Sequence, residues 1–359
     1  MSTLGVAGDA GLFRHRWLRS LWVLVFCGAG FSSAMAAPQT ESTAATPQRE
    51  MAYAPAERDM AQWIERMHSA PCSRAYAGTF VVLSAGGAMT SSRIWHACDG
   101  PQQMERVESL SGTPHTIFRR NDEVRTFWPQ ERIVRTERRD AAGLFPRVPV
   151  VRGTSIAQFY TSQLIGQERV AGFVTDVVWF KPSDTLRLGY RLWSERDTGL
   201  LLKLQTLGQD GRVLEQAAFS ELDLNAPVRV SQLSRLMDAT AGYKEVAPTV
   251  VNTTATTEGW ALRQPIPGFV PVRCHRRAVS EADEAQSVLQ CLYSDGLASV
   301  SLFIETFDPQ RHPAQPQISS MGATQLLAQR VAPDMWVTAV GEVPLQTLRL
   351  FAGQLERAR

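Results

Sequence analysis

The chain has 359 residues, of which 44% are hydrophobic and 20% are charged, a composition typical of a globular protein of about two domains. Its formal net charge at neutral pH is only +2. So small a charge excludes nucleic-acid binding driven by bulk electrostatics, and we expect no nucleic-acid partner.

Residues 1–36 have the features of a secretory signal peptide. They contain three arginines, then an apolar run, then two small residues in an A-x-A arrangement, namely Arg14, Arg16, Arg19, Leu21–Gly30, Ala34 and Ala36. The run is too short and too rich in small residues to span a bilayer core of about 30 Å. The bulky Phe26 before Cys27 argues against a lipoprotein. We therefore expect export and cleavage near Ala36.

The predicted elements then follow in chain order. Residues 37–55 are polar and rich in Pro, Ala and Thr, which predicts a disordered leader. The spacing of Met60, Trp63, Ile64 and Met67 predicts a helix within 56–69. A second short helix is predicted at 155–164. The predicted strands lie at 78–84, 91–97, 104–109, 115–119, 123–127, 133–137, 176–182, 188–195, 200–207 and 213–222.

So many strands with so few helices predict an antiparallel meander over residues 56–228, strongly curved or half-closed because a sheet of this width does not stay flat. Apolar and aromatic residues fill these strands. An ordinary core explains them, and an apolar ligand cavity under the curved sheet is the functional alternative. The cavity candidates are Phe80, Val82, Trp95, Phe118, Phe127, Trp128, Trp179, Phe180 and Trp193.

A basic segment interrupts the meander. Residues 138–152 carry four arginines around short apolar runs, namely Arg138, Arg139, Arg147 and Arg152. A surface loop is the simplest interpretation. A docking loop for an acidic or phosphorylated partner is the alternative, because guanidinium groups bind carboxylates and phosphates well.

Residues 229–258 contain a short predicted helix and a stretch rich in Thr, Ala, Val and Asn, which predicts a linker. A second domain is predicted at 259–359. It contains a cysteine-bearing hairpin, a strand at 335–343 and a C-terminal helix after Pro344.

The hairpin is predicted by Asp295-Gly296, which separates two alternating runs and favours a two-residue turn. In that register Tyr293 faces Ala298 and Cys291 faces Val300. The apolar residues then share one buried face, namely Leu289, Cys291, Tyr293, Ala298, Val300, Leu302 and Ile304.

Four cysteines follow the signal peptide, namely Cys72, Cys98, Cys274 and Cys291. An even number in an exported protein predicts disulfides, and three connectivities are open. Pairs 72–98 and 274–291 are favoured, since each lies within one predicted domain. A zinc site is the alternative, but the close C-x-x-C spacing is missing.

The sequence offers no constellation for catalysis. It contains no G-x-S-x-G, H-E-x-x-H, P-loop or G-x-G-x-x-G motif, and its six histidines are scattered. We therefore expect a binding protein rather than an enzyme, with no metal and no cofactor.

Six segments together resemble the MucB/RseB family of periplasmic regulators, and they run through the chain in the family's order. They are 63–70, 78–84, 199–222, 259–272, 292–305 and 340–352. The more specific signatures are L-Y-S-D-G-L at 292–297, V-G-E-V-P at 340–344 and W-x-P-x-G-F. The last is altered here, because Trp260, Pro267, Gly268 and Phe269 are spaced differently.

The resemblance implies an α+β fold. Its N-terminal domain would be similar to the lipoprotein-carrier fold, a large curved antiparallel half-barrel that covers helices and encloses an apolar cavity. A smaller α/β C-terminal domain would follow, with a hinge near 240–258.

The resemblance also implies a function. The protein would bind the periplasmic domain of a membrane anti-sigma factor, shield it from the protease that begins regulated proteolysis, and be released by lipid or lipopolysaccharide stress signals. A periplasmic lipid or lipoprotein carrier is the alternative, although simple carriers are a single domain. Whether the protein forms a homo-oligomer is left open.

Overall fold

The structure is a computed structural model that describes residues 58–138, 156–247, 250–280 and 283–358. The predicted signal peptide and leader lie outside the described residues, apart from the helix that follows them. The described residues are mostly β-structure, and none of their helices is both long and apolar enough to cross a membrane.

Twelve strands form one large curved sheet. In chain order they are β1 (Tyr76–Ser84), β2 (Met89–Asp99), β3 (Gln102–Ser109), β4 (Thr116–Arg120), β5 (Glu123–Trp128), β6 (Ile133–Arg138), β7 (Tyr160–Val170), β8 (Phe173–Pro182), β9 (Gly189–Glu195), β10 (Leu201–Leu207), β11 (Val213–Asp223) and β12 (Lys244–Val246). Their order in space is β12-β6-β5-β4-β3-β2-β1-β11-β10-β9-β8-β7. Since β12 and β7 are edges, the sheet is not a closed barrel.

Two helices pack against this sheet. Helix α1 (Met60–Ser69) begins with a capping box between Asp59 and Gln62, and the four apolar residues that predicted it are buried. Helix α2 is Val230–Met237. In β3, Val107 belongs to the apolar cluster of α1 and Met104 to that of α2. Because residues three apart on a strand point to opposite faces, the two helices cover opposite faces of the sheet.

The helix predicted at 155–164 is wrong. Only one 3-10 turn forms there, at Ile156–Gln158, and the chain then enters β7. Along the start of β7 the covered positions alternate with exposed ones. This period of two lets Tyr160 and Leu164 bury one face while the backbone pairs with β8.

Seven strands form the sheet of the C-terminal domain. They are β13 (Val250–Thr253), β15 (Val270–Ser280), β16 (Asp283–Ser294), β17 (Ser299–Thr306), β18 (Gln317–Met321), β19 (Thr324–Ala332) and β20 (Met335–Gly341), in the order β13-β15-β16-β17-β20-β19-β18. Strands β14 (Trp260–Leu262) and β21 (Leu355–Arg357) pair with each other, and helix α3 is Leu345–Gln354. Helix α3 buries Leu348 and Phe351 in this domain's core.

All strand pairs of the seven-stranded sheet are antiparallel. The prediction of an α/β domain is therefore wrong in detail, and this domain is of the α+β type. Short hairpin connections account for the difference, since parallel neighbours need long crossovers.

The cysteine-bearing hairpin forms with a longer turn than predicted. Tyr293 faces Val300 and Cys291 faces Leu302, so the loop is residues 295–298. The register differs from the predicted one by two residues, which leaves each side chain on its predicted face. All seven apolar residues predicted for the inner face are buried.

The Asp295 side chain accounts for the longer turn. Its Oδ1 accepts the backbone N–H groups of Leu297 (2.9 Å) and Ala298 (2.7 Å). The Ser294 hydroxyl accepts from Gly296 N–H and donates to the Ala298 carbonyl. Through these bonds the two side chains pair with the backbone groups of a four-residue loop. A two-residue turn would not offer the same backbone groups to them.

Residues 229–258, predicted as a linker, contain ordered elements at both ends. Helix α2 packs against the large sheet, and strand β12 is part of that sheet. Strand β13 pairs with β15 of the second sheet. Only residues 247–249 lie between β12 and β13. The connection between the two sheets is therefore much shorter than the predicted linker.

Candidate functional site

All nine cavity candidates lie inside the N-terminal domain. Five are buried, namely Phe80, Phe118, Phe127, Phe180 and Trp193. Four are partly buried, namely Val82, Trp95, Trp128 and Trp179. None of them is fully exposed, so each contributes to the packing of the sheet and its helices.

Seven of the nine candidates fall into two groups on opposite faces of the sheet. Phe80, Phe180 and Trp193 belong to the cluster of α1, and Val82 packs against it. The other group surrounds α2 and consists of Trp95, Phe118 and Phe127. The structure therefore brings these seven candidates together in two separate clusters.

Two of the tryptophans hold lysines over their rings. The Lys203 ammonium lies 4.0 Å from the ring centre of Trp193, and Lys181 lies 5.6 Å from that of Trp179. Trp193 also donates its indole N–H to Glu168 over 2.7 Å. Burial lowers the pKa of Lys203. Trp193 is therefore held by both apolar and polar contacts.

A row of buried polar residues on three adjacent strands was not predicted from the sequence. His96, Glu105 and Arg119 occupy paired positions on β2, β3 and β4 and are all buried. Glu105 lies between the other two, 3.8 Å from His96 Nε2 and 3.5 Å from Arg119 Nη1. Tyr76 stacks on the His96 ring at 4.7 Å. Their shared face follows from strand alternation, which is the signal that would have grouped them.

An open groove of about 570 Å³ runs beside α1. Its lining residues are Arg58, Ala61, Gln62, Glu65, Arg66, Ser69 and Thr198, and more of the lining surface is apolar than polar. None of the nine cavity candidates is among these lining residues.

Of the predicted basic loop, the structure describes one residue. Arg138 ends β6 and is exposed. Arg139, Arg147 and Arg152 lie outside the described residues.

Both predicted disulfides are confirmed. Cys72 bonds to Cys98, and Cys274 bonds to Cys291 at directly paired positions of β15 and β16. His96 lies close to the first pair, and its ligand atom and the two sulfur atoms are within 4.8 Å of one another. Because these sulfurs bond to each other, they are not the free thiolates that a zinc site needs.

Arg187, between β8 and β9, is another buried polar residue that was not predicted. Its Nε donates to Asp295 Oδ2 of the C-terminal domain over 2.6 Å, and neither side chain is exposed to solvent. Its Nη1 donates to Asp184, and its Nη2 donates to the Pro267 carbonyl over 2.6 Å. All three guanidinium nitrogens therefore have an acceptor.

Aromatic rings enclose the Arg187 guanidinium. Its carbon lies 4.1 Å from the ring centre of Phe159 and 5.0 Å from that of Phe269. Gly268 lies so close that a Cβ there would clash with Nη2, and its φ of +81° also favours glycine. The signature segments Pro267-Gly268-Phe269 and Leu292–Leu297 thus meet at one arginine.

Further contacts surround this pair. Leu297 is buried in the apolar cluster of the N-terminal domain, and Leu186 packs against the core of the C-terminal domain. The Thr347 hydroxyl donates to the Leu186 carbonyl over 2.7 Å. The two domains therefore insert side chains into each other around the Arg187–Asp295 ion pair.

Two tyrosines complete the buried surroundings. The Tyr160 hydroxyl lies 3.5 Å from Asp295 Oδ2, and Tyr190 lies beside Tyr160. Burial, and after it neighbouring ionisable groups, raises the pKa of both phenols well above 10. Both tyrosines are therefore neutral at physiological pH.

Sequence comparison covers both domains. The model of the MucB/RseB N-terminal domain matches residues 59–237, and that of the MucB/RseB C-terminal domain matches residues 254–356. The sigma factor AlgU regulatory protein MucB of Pseudomonas aeruginosa is 30% identical over 298 residues, 81% of this chain and 89% of that protein. The sigma-E factor regulatory protein RseB of Escherichia coli is 22% identical over 300 residues, 82% of this chain and 89% of that protein.

Solved structures agree with the sequence comparison. A crystal structure of MucB in complex with MucA(peri) has a TM-score of 0.64 and 27% identity, covering 83% of this chain and 99% of that one. The complex of MucA and MucB from Pseudomonas aeruginosa has a TM-score of 0.64 and 28% identity, covering 83% and 98%. The chain belongs to the MucB/RseB family.

Proposed function

We propose that the protein is an exported regulator that binds the periplasmic domain of a membrane-spanning anti-sigma factor. One observation carries the proposal: the fold resembles, over 83% of this chain and 99% of the other, a MucB that was crystallised with MucA(peri). The similarity extends through both domains, which favours a two-domain regulator over a single-domain lipid or lipoprotein carrier. Cleavage near Ala36 would place the protein in the periplasm.

Binding would protect the partner from proteolysis. A protease needs an extended, accessible stretch of its substrate, and a partner segment held on this protein would lack that access. The basic segment with Arg138, Arg139, Arg147 and Arg152 is the candidate for docking acidic parts of the partner, because arginines pair strongly with carboxylates.

Lipid or lipopolysaccharide would release the partner. An effector shifts a binding equilibrium only through different affinities for the free and the partner-bound states. The apolar cluster around α1, with Phe80, Val82, Phe180 and Trp193, is the candidate for an acyl-chain site. A chain entering it would have to displace packed side chains, so lipid binding would be coupled to a change in this domain.

A pull-down tests the proposal. Purified mature protein is immobilised and incubated with the periplasmic domain of a membrane anti-sigma factor, with and without lipopolysaccharide, and with phosphatidylcholine vesicles as a control. We expect retention without lipopolysaccharide and release with it. Absence of binding in both conditions would contradict the proposal.

A protease arm tests the protective role separately. The bound and free periplasmic domains are digested with the protease that begins regulated proteolysis. We expect the bound domain to survive longer, and to lose this protection when lipopolysaccharide is added. Equal digestion of both forms would show that the protein binds the periplasmic domain without protecting it.

A further inference from the structure

The ion pair between Arg187 and Asp295 joins two domains that the chain connects only through residues 247–249. We infer that this pair is an interdomain latch: it holds the two domains in the arrangement that binds the partner, and its opening switches that arrangement off. The part about the partner rests on the function proposed above. The latch itself rests on the geometry alone.

On the arginine side of the latch, every guanidinium nitrogen has an acceptor. Arg187 donates to Asp295, Asp184 and the Pro267 carbonyl, and aromatic rings cover its guanidinium. Asp184 belongs to the same domain as Arg187, whereas the other two acceptors belong to the C-terminal domain. The arginine is therefore the point at which two separate C-terminal segments are fixed to the N-terminal domain.

On the aspartate side of the latch, both carboxylate oxygens accept hydrogen bonds. Oδ1 of Asp295 accepts from Leu297 and Ala298, and Oδ2 accepts from Arg187. One carboxylate thus shapes the hairpin turn and binds the other domain. Because the two oxygens have separate tasks, the latch can be broken chemically while the turn keeps its acceptor.

An ion pair suits a contact that must open. Removing one partner from a buried pair is costly, because the remaining charge stays buried and unpaired. When two domains separate, however, both charges return to water and regain their hydration, which offsets much of the lost attraction. Apolar contacts of the same size gain no such compensation. The pair therefore closes specifically and opens at moderate cost.

The short connection limits how the domains can move. Four Cα steps of about 3.8 Å join Val246 to Val250, so these ends stay within roughly 15 Å of each other. The two domains therefore stay close to each other at these ends even when the ion pair is open. A partner that contacts both domains would lose part of its binding surface when the ion pair opens. An effector that prefers the open form would shift the equilibrium by its difference in affinity.

The test uses Asp295→Asn. The asparagine oxygen can still accept from Leu297 and Ala298, while its NH₂ group faces the Arg187 donors and cannot replace the carboxylate. The matched control is Asp210→Asn. Asp210 also precedes a glycine in a turn, accepts a backbone N–H from Arg212 and pairs with that arginine, but its side chain is 52% exposed.

Two readouts are measured on the mature two-domain protein. Small-angle scattering reports the interdomain arrangement, and calorimetry reports whether the domains unfold together. We expect Asp295→Asn to increase the radius of gyration and to split one thermal transition into two, and Asp210→Asn to leave both unchanged. Unchanged scattering and one unchanged transition in Asp295→Asn would overturn the latch.

Partner affinity is the third readout. We expect Asp295→Asn to weaken binding of the anti-sigma periplasmic domain at least tenfold, and the control to bind like the wild type. Wild-type affinity in an Asp295→Asn protein that scatters as an open form would overturn the link between latch and partner. If the wild type does not bind at all, the proposed function fails, while scattering and calorimetry still decide the latch.

A second variant covers the case in which Asp295→Asn does not fold. Arg187→Met leaves the hairpin untouched and removes the donor from the other domain. We expect the same open scattering and the same split transition from it, and compact scattering with a single transition would again overturn the latch.

Discussion

The guanidinium of Arg187 and the carboxylate of Asp295 meet at 2.6 Å across the two domains, with both side chains fully buried. They are 108 residues apart in sequence. The bond joins the loop between β8 and β9 to a hairpin turn of the C-terminal domain.

Arg187→Ala should lower the free energy of unfolding by about 3–5 kcal/mol, because it leaves Asp295 buried without its counter-charge. Arg212→Ala is the control, since Arg212 forms an exposed pair and its side chain is 81% accessible. Its loss should be below about 1 kcal/mol. Urea unfolding measures both variants, and equal losses would mean that burial of the pair has no energetic effect.

Gly268→Ala should disturb the same contact from another side. A Cβ at this position would meet Arg187 Nη2 and the Phe159 ring, and φ is +81°. Gly211→Ala is matched to it, with φ of +78° and open space around the new methyl group. Both should lose about 1–2 kcal/mol through backbone strain, and Gly268→Ala about 1–3 kcal/mol more through overpacking. Thermal unfolding measures the stability of both variants. An equal loss of stability in the two would contradict the close packing at Arg187.

The Cys274–Cys291 disulfide should stabilise the C-terminal domain. It closes a loop of 17 residues, for which chain entropy gives about 3 kcal/mol. In the Cys274→Ala/Cys291→Ala variant we expect a lower unfolding midpoint for the C-terminal domain, so that this domain unfolds before the N-terminal one. Proteolysis of the variant at moderate urea should then cut this domain before the N-terminal one. Cleavage of the N-terminal domain first would contradict a stabilising role of this disulfide in the C-terminal domain.

Stability should fall at alkaline pH through the two interface tyrosines. The fold raises the pKa of Tyr160 and Tyr190 well above 10, chiefly by burial. Their neutral forms are favoured in the folded state, so this stability is fully present below pH about 10 and is lost as the pH rises above it. The Tyr160→Phe/Tyr190→Phe variant should therefore lose less stability than the wild type between pH 8 and pH 11. Parallel losses in urea unfolding at the two pH values would contradict this origin.

Phe180→Ala tests whether a cavity candidate is packed core. Phe180 is 0% exposed, and truncating a fully buried phenylalanine costs about 3–5 kcal/mol. Trp128→Ala, at a partly buried position, should cost less. If Phe180 lined an empty ligand cavity, its truncation would cost little and acyl-chain binding would change instead. Unfolding and fatty-acid titration of the two variants separate these outcomes.

Local patterns predicted much of this fold. The spacing of apolar residues in α1 and the alternation in the strands before β7 depend on neighbours in sequence, which a sequence shows directly. The disulfide pairs followed from keeping each pair within one domain. The inner face of the cysteine hairpin was also correct, since a register difference of two residues preserves it.

The interdomain site could not be predicted in the same way. Arg187 lies in the polar segment between two strands, where an arginine is usually solvated, and its partner is distant in sequence. The turn length was wrong for a related reason, because the Asp295 carboxylate bonds to two backbone groups and to the other domain. Aromatic residues of the meander share a residue type, and only the strand register shows that they occupy opposite faces. The altered spacing of Pro267, Gly268 and Phe269 is visible in the sequence, but the place of these residues beside Arg187 depends on tertiary contacts.

Titration calorimetry of the mature protein with the anti-sigma factor's periplasmic domain tests the central claim most directly. We expect saturable binding of the wild type, a dissociation constant at least tenfold weaker for Asp295→Asn, and loss of binding when lipopolysaccharide is present. No heat of binding with the wild type, with or without lipopolysaccharide, in a protein that is folded by circular dichroism, would contradict the account.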